Sequence, residues 1–487
     1  MKKSFLSLQN WLPSLIKTFM AGVVLWGASP VHAFVELEDR KALDFEGGKL
    51  TPFWAQEYIG ADLMKEDMRK RHDLAIVPFS IFDAGFEKRY VNLKNDIEVD
   101  RAFSGSRPMQ GDHGTSVAAL INGAGMMSVS ENIEYVQLRR VSPSIFYSYA
   151  VREVKEMTNR PWVISNSMGW TSPEVLPLAQ EANALGVIWV MAAGNDHPKK
   201  IVEHERLAPV VSVGSYSPRG LQTLTSQSSD QLDILAPADQ FQASINGAGE
   251  QELFGETSGA TPLVSGTIAN MKAVLPRLTR YQVEYVLKKT AFHSFHRLYT
   301  KDNQTGLLNS YKAYKVIERL KERCEGKGDC VDQEILKSDL YEFKTDLTDR
   351  MKALCETKEV LSENEMKELR RSHLLGQGTE TARVLGCAYR NEGYNINADY
   401  YFNLVLIRTN PKALQEKVQA LASEAVTKGY LESAALRDLE ILDGRFEAAL
   451  KKILSEKDET GIGKYRAGIL LEAYNKASKV KVSSAIP

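Results

Sequence analysis

The feature that most constrains this chain is an alternation of short apolar runs with helical periodicity. Residues 74–82 form a nearly continuous apolar run that stops at Asp83-Ala84-Gly85. Such a run suits a strand buried on both faces of a parallel sheet. Pro78 inside it removes a ladder hydrogen bond, so a bulge or a late strand start is expected there. Strand-like segments follow at 133–138, 162–165, 187–191, 210–213 and 232–235, with helical spacing at 145–157 and 173–185. Ahead of them, residues 54–70 read as one short helix. This alternation predicts an α/β domain with a mostly parallel sheet and helices on both faces. Ligands of such sheets sit at the carboxyl ends of the strands.

After Tyr311 the texture changes. Strand signals nearly vanish, and Glu, Lys, Leu and Ala recur with 3.6-residue spacing. Helices are expected at 311–323, 332–355, 360–374, 411–428, 432–439, 444–456 and 462–477, forming an all-α carboxyl-terminal domain without a fixed-period repeat. The resulting division is 1–33, 34–72 (an amino-terminal extension), 73–315 (the α/β domain) and 316–487 (the helical domain), with a tail over 478–487 expected to be disordered. All four cysteines, Cys324, Cys330, Cys355 and Cys387, lie in the helical domain. Four cysteines allow three pairings, and no C-x-x-C pair suggests zinc. The expected pairing joins Cys324 to Cys330 across a Gly-rich loop, and Cys355 to Cys387 between two helical segments.

Residues 1–33 have the order of a signal peptide. Lys2, Lys3 and Lys17 precede and flank an apolar run at 19–26, and Val31-His32-Ala33 supplies small residues at −3 and −1. Cleavage is expected after Ala33, which implies an exported protein, periplasmic or extracellular, able to oxidise its cysteines. No later apolar run reaches the roughly 18 residues of a spanning helix, so no stable membrane insertion is expected after signal removal. With 61 basic and 62 acidic residues and a net charge of −1, the chain carries no nucleic-acid footprint.

Four stretches can carry chemistry, and each has a plain reading by itself. Asp83 ends the first buried strand, and Asn195, in Ala193-Gly194-Asn195, ends another. Residues of both kinds usually form turns there. His113, in His113-Gly114-Thr115, starts an apolar helix. Ser258, in Phe254-Gly255-Glu256-Thr257-Ser258-Gly259-Ala260-Thr261-Pro262, sits where a polar loop enters another helix, a position that also suits a cap. Together they fall at one end of one expected sheet. A hydroxyl, an imidazole, a carboxylate and a neutral hydrogen-bond donor are the set that acyl transfer needs.

The chain order Asp…His…Ser and the motifs around each resemble the subtilisin-like serine proteases, or subtilases, over about residues 70–315. Phe82-Asp83-Ala84-Gly85 resembles the family's Asp-x-Gly, and His113-Gly114-Thr115 with Val117-Ala118 its His-Gly-Thr helix. Ala193-Gly194-Asn195 resembles its oxyanion segment, and Thr257-Ser258 with Ala260 and Pro262 its nucleophile motif. The resemblance implies that Asp83 orients, His113 acts as general base and then acid, Ser258 is the nucleophile, and Asn195 binds the oxyanion. It further implies that Ser167, Met168 and Gly169, with Ala193 and Gly194, line the path of a protein or peptide substrate. The chemistry requires no cofactor. Structural calcium is common in the family, yet no ligand set stands out in this sequence. Glu256 replaces a glycine two before the nucleophile, a place where glycine often permits unusual backbone angles. Trp170 and Ala238 are further departures. The alternative reading is a catalytically silent scaffold of the same fold that acts through its helical domain, docking a protein partner there.

Overall fold

The computed structural model describes residues 42–86, 113–123, 126–141, 146–168, 175–197, 201, 209–239, 242–245, 251–294, 305–325, 327, 330–430, 433–438, 446–455, 467–468, 470–472 and 474–475. The expected signal peptide, Gly169, Trp170 and the 478–487 tail lie outside the described residues.

Strands β1 (Leu43–Phe45) and β2 (Gly48–Leu50) form an antiparallel hairpin. The single helix expected over 54–70 is two helices, α1 (Trp54–Ile59) and α2 (Ala61–Arg69). Gly60 separates them with φ of 71°, and a Cβ added there would meet a Leu374 methyl at 2.5 Å. Glycine therefore serves both the left-handed turn and the close approach.

The central elements follow as β3 (Val77–Asp83), α3 (His113–Asn122), β4 (Ile133–Arg140), α4 (Phe146–Glu156), β5 (Val163–Asn166), α5 (Val175–Ala184), β6 (Ile188–Ala192), β7 (Val210–Tyr216) and β8 (Ile234–Pro237). A hairpin of β9 (Gln242–Ile245) and β10 (Gln251–Phe254) leads into α6 (Glu256–Val274), α7 (Arg280–Thr290) and β11 (Gly306–Leu307). Seven strands form one sheet in the order β11-β8-β7-β6-β5-β3-β4, and every neighbouring pair is parallel. Every residue of β3, β5, β6, β7 and β8 is buried, so both faces of these strands are covered. Of the two expectations at Pro78, the strand does not start late, and the bulge appears as a register shift between Phe79 and Ser80, next to the proline. Helix α6 packs along β5, β6, β7 and β8 and is buried from Gly259 to its end. Below the carboxyl edge, Trp189 meets Phe82 edge-on at 5.4 Å and lies 6.2 Å from Tyr147.

The helical region comprises α8 (Ser310–Cys324), α9 (Cys330–Glu334), α10 (Asp349–Thr357), α11 (Glu363–Gly376), α12 (Thr379–Asn391), α13 (Asn395–Thr409), α14 (Pro411–Lys428) and α15 (Phe446–Ser455). The continuous helix expected over 332–355 is interrupted by a 3₁₀ turn at Ser338–Tyr341 and an extended stretch. Arg319 anchors that stretch through the carbonyls of Leu340 and Glu342, and Thr348 then caps α10 by accepting from the Met351 amide at 3.2 Å. Disulfides join Cys324 to Cys330 and Cys355 to Cys387. Among the described residues no helix is long and apolar enough to cross a membrane.

The amino-terminal segment ties the helices to the sheet. The amides of Lys49 and Thr51 donate to Asn395 at 2.6 Å and Asn397 at 3.0 Å. Tyr58 stacks on Tyr400 at 3.9 Å, while its hydroxyl donates to the Pro218 carbonyl at 3.1 Å. Buried Arg370 grips the Asp62 carboxylate at 2.6 and 2.8 Å and the Glu57 carbonyl at 2.9 Å.

Candidate active site

Strands β3, β5 and β6 are neighbours and run parallel, so their carboxyl ends emerge side by side. Asp83 ends β3, Ser167 follows β5, and Ala193-Gly194-Asn195 follow β6.

Asp83 is fully buried and His113 is 31 % exposed, with Nδ1 of the ring 2.5 Å from Asp83 Oδ1. That oxygen already accepts from the Ala84 amide at 2.7 Å. It can only accept again, so Nδ1 carries the proton and Nε2 keeps its lone pair. Gly114 lets the start of α3 press against the Asp83 loop, because a Cβ there would collide with the Gly85 carbonyl and the Phe86 ring. Phe254, at the end of β10, meets the imidazole edge-to-face at 5.1 Å. The sequence carries no signal for this contact.

Ser258 is the third residue of α6, where backbone amides of the first turn lack an intrahelical acceptor. Its carbonyl would normally bond the amide four residues on, but Pro262 stands there and has none. The freed carbonyl accepts from Ser167 Oγ at 3.1 Å instead. In return Ser258 Oγ donates to the Ser167 carbonyl at 2.9 Å, and it makes no hydrogen bond to His113 in this rotamer.

Asn195 Oδ1 accepts from the Thr257 amide at 3.1 Å and from its hydroxyl at 2.7 Å. An amide N–H can only donate, so the oxygen of the Asn195 carboxamide must face Thr257. The Nδ2 group then points elsewhere and keeps both hydrogens unbonded among the described residues. Gly194 has φ of 97°, and a Cβ on it would collide with Gln227 Oε1. Gln227 donates its amide to the Gly194 carbonyl at 2.9 Å and accepts from the Asp196 amide at 3.4 Å. Ala193 is buried, with its amide bonded to the Val213 carbonyl at 2.8 Å.

Glu256 does adopt a glycine-like backbone, with φ of 58°. A left-handed conformation costs a non-glycine residue on the order of 1 kcal/mol or more. Its carboxylate accepts from Thr225 Oγ1 at 3.2 Å, which offsets part of that cost. Met168 is held by its amide, which donates at 3.0 Å to Asn166 Oδ1, and Tyr147 supports the same carboxamide. Among the described residues no cluster of three His, Cys, Asp or Glu could hold a metal.

A profile described as the subtilase family matches residues 76–313. Alkaline elastase YaB of Bacillus sp. (strain YaB) is 31% identical over 188 residues, covering 37% of this chain and 50% of that one. Subtilisin Savinase of Lederbergia lenta is 31% identical over 188 residues, covering 37% of this chain and 70% of that one. The chain therefore spans about half the length of the elastase. A solved structure of the subtilase cytotoxin SubAB superposes with a TM-score of 0.45 at 18% identity, over 56% of this chain and 99% of that one.

Proposed function

The chain belongs to the subtilase family, and on that premise we propose that it is an exported serine endopeptidase acting through Asp83, His113, Ser258 and Asn195. The observation that supports this most is the 2.5 Å pair of His113 Nδ1 and buried Asp83, which orients the ring and, in the neutral imidazole, puts the proton on Nδ1 and the basic lone pair on Nε2. In this reading Ser258 Oγ leaves the Ser167 carbonyl, gives its proton to His113 Nε2 and attacks the substrate carbonyl. Asp83 stabilises the imidazolium. Nδ2 of Asn195 and the Ser258 amide donate to the oxyanion. His113 then protonates the leaving amine, and water completes hydrolysis of the acyl-enzyme by the reverse proton path. In this reading the backbone of Ser167 and Met168 flanks one side of the substrate, and Ala193 and Gly194 the other. No cofactor enters any step. The two disulfides support export, since such bonds persist in oxidising compartments.

The Glu256 carboxylate bonded to Thr225 is compatible with turnover, because its charge has a partner other than the reacting atoms. The test is cleavage of casein or a peptide library by wild type, Ser258→Ala and Glu256→Gly. Wild type and Glu256→Gly should both cleave, with Ser258→Ala at background. Background rates in wild type and Ser258→Ala, with cleavage only by Glu256→Gly, would mean a silent site and a scaffold role.

A further inference from the structure

We propose that Arg437, in the helical region, is a positioning residue for the oxyanion-binding segment, so that this region is a working part of the peptidase. The proposal rests on the reading of Asn195 as an oxyanion donor.

Arg437 is 1% exposed, among the most buried large side chains of the protein. Its guanidinium reaches into the loop at 222–228, between β7 and β8. Nη1 donates to the Thr223 carbonyl at 2.9 Å and to the Ser226 carbonyl, and Nη2 donates to Ser228 Oγ at 3.0 Å. The residues between these grip points face the other way. Thr225 accepts the His197 amide on its carbonyl at 3.0 Å, and its hydroxyl donates to Glu256 at 3.2 Å. Gln227 holds the Gly194 carbonyl and the Asp196 amide. Arg437 thus holds the loop at Thr223, Ser226 and Ser228, while Gln227 holds both neighbours of Asn195 and Thr225 the residue two before Ser258.

A second contact reaches the same segment. Phe446, fully buried at the start of α15, meets His197 edge-to-face at 6.0 Å. The helical region therefore touches the oxyanion segment directly at His197 and reaches it a second time through the loop at 222–228. A planar fork of charge-assisted donors suits this task, because it fixes several acceptors relative to one another. Lysine would carry the charge without the fork. An Asn195 donor displaced by even a fraction of an ångström aims less well at an oxyanion that exists only in the transition state, so the effect belongs in kcat.

The experiment compares full-length wild type with Arg437→Lys, Ser228→Ala and Arg370→Lys. Arg370 is a similarly buried guanidinium that grips the amino-terminal segment, and its variant controls for lost packing. The readouts are kcat and KM on a fluorogenic peptide that wild type cleaves, with thermal unfolding alongside. Arg437→Lys should lower kcat about tenfold while KM stays within about twofold, and Ser228→Ala should lower kcat about two- to threefold. Arg370→Lys should keep wild-type kcat. A kcat within twofold of wild type in both Arg437→Lys and Ser228→Ala would overturn the proposal, as would an equal loss in Arg370→Lys. A wild type no faster than Ser258→Ala would instead remove the peptidase reading, and this inference with it.

Discussion

The carboxyl edge of the sheet and the helical region use polar groups to different ends. At the sheet edge, buried and half-buried groups bond one another: Asp83 to His113, Asn195 to Thr257, Ser258 to Ser167. In the helical region the most buried ones reach outward. Arg370 grips Asp62, Asn397 caps the strand end at Thr51, Asn403 donates to the Arg219 carbonyl, and Arg437 holds the loop at 222–228. A helical bundle can be stabilised by apolar packing alone, so buried polar groups that cross to a neighbour act as clamps. On the proposed function, the difference assigns the chemistry to one region and the holding of its supports to the other.

If the division is real, substitutions at the sheet edge should change rate and leave stability alone. Asn195→Ala should lower kcat by about 10²–10³-fold, the usual cost of one oxyanion donor, with an unfolding midpoint near wild type. Steady-state kinetics and calorimetry check this. A proportionate loss of folded protein would break the comparison, because Asn195 would then be a structural brace for α6.

Staples of the helical region should do the opposite. Replacing Cys355 and Cys387 together by serine opens a link between residues 32 positions apart. The loop-entropy relation gives a stability loss of about 3–4 kcal/mol. Denaturant unfolding should show it, while kcat of the remaining folded enzyme stays close to wild type.

Acid should also act on the helical region first. Burial, with Arg408 nearby, pushes the His373 imidazole from its ordinary 6.5 down to about 3. The unfolded chain therefore takes up a proton below about 6.5 that the folded chain refuses until about 3. The stabilising difference is complete above that window and is lost as pH falls through it. His373→Gln should flatten the fall in unfolding midpoint between pH 6.5 and 4. An unchanged slope would assign acid sensitivity elsewhere.

Much of the sheet region is legible in the sequence, because buried parallel strands are written as continuous apolar runs and Asp83, His113, Asn195 and Ser258 stand in contiguous motifs. The β9–β10 hairpin is marked only by Asn246-Gly247 between its strands, a turn signal without a clear apolar alternation on either side, and Phe254 against His113 has no mark at all. Glu256 shows what a motif departure can and cannot say: the backbone keeps its glycine-like angle, and a distant hydroxyl receives the carboxylate. In the helical region α12 and α13 carry no prediction. Helix α13 buries Ile396, Tyr400, Tyr401 and Leu404 together with Asn397 and Asn403, which blurs any apolar stripe. Arg437 stands 214 positions from Thr223, and a contact of that kind has no local signature.

The account depends most on Ser258 being an activated nucleophile. Labelling of the mature protein by a serine-directed fluorophosphonate, followed by peptide mapping, tests this directly. One label on the peptide containing Ser258, absent in Ser258→Ala and strongly reduced in His113→Ala, is the predicted result. Equal labelling of wild type and Ser258→Ala, or none in either, would contradict it.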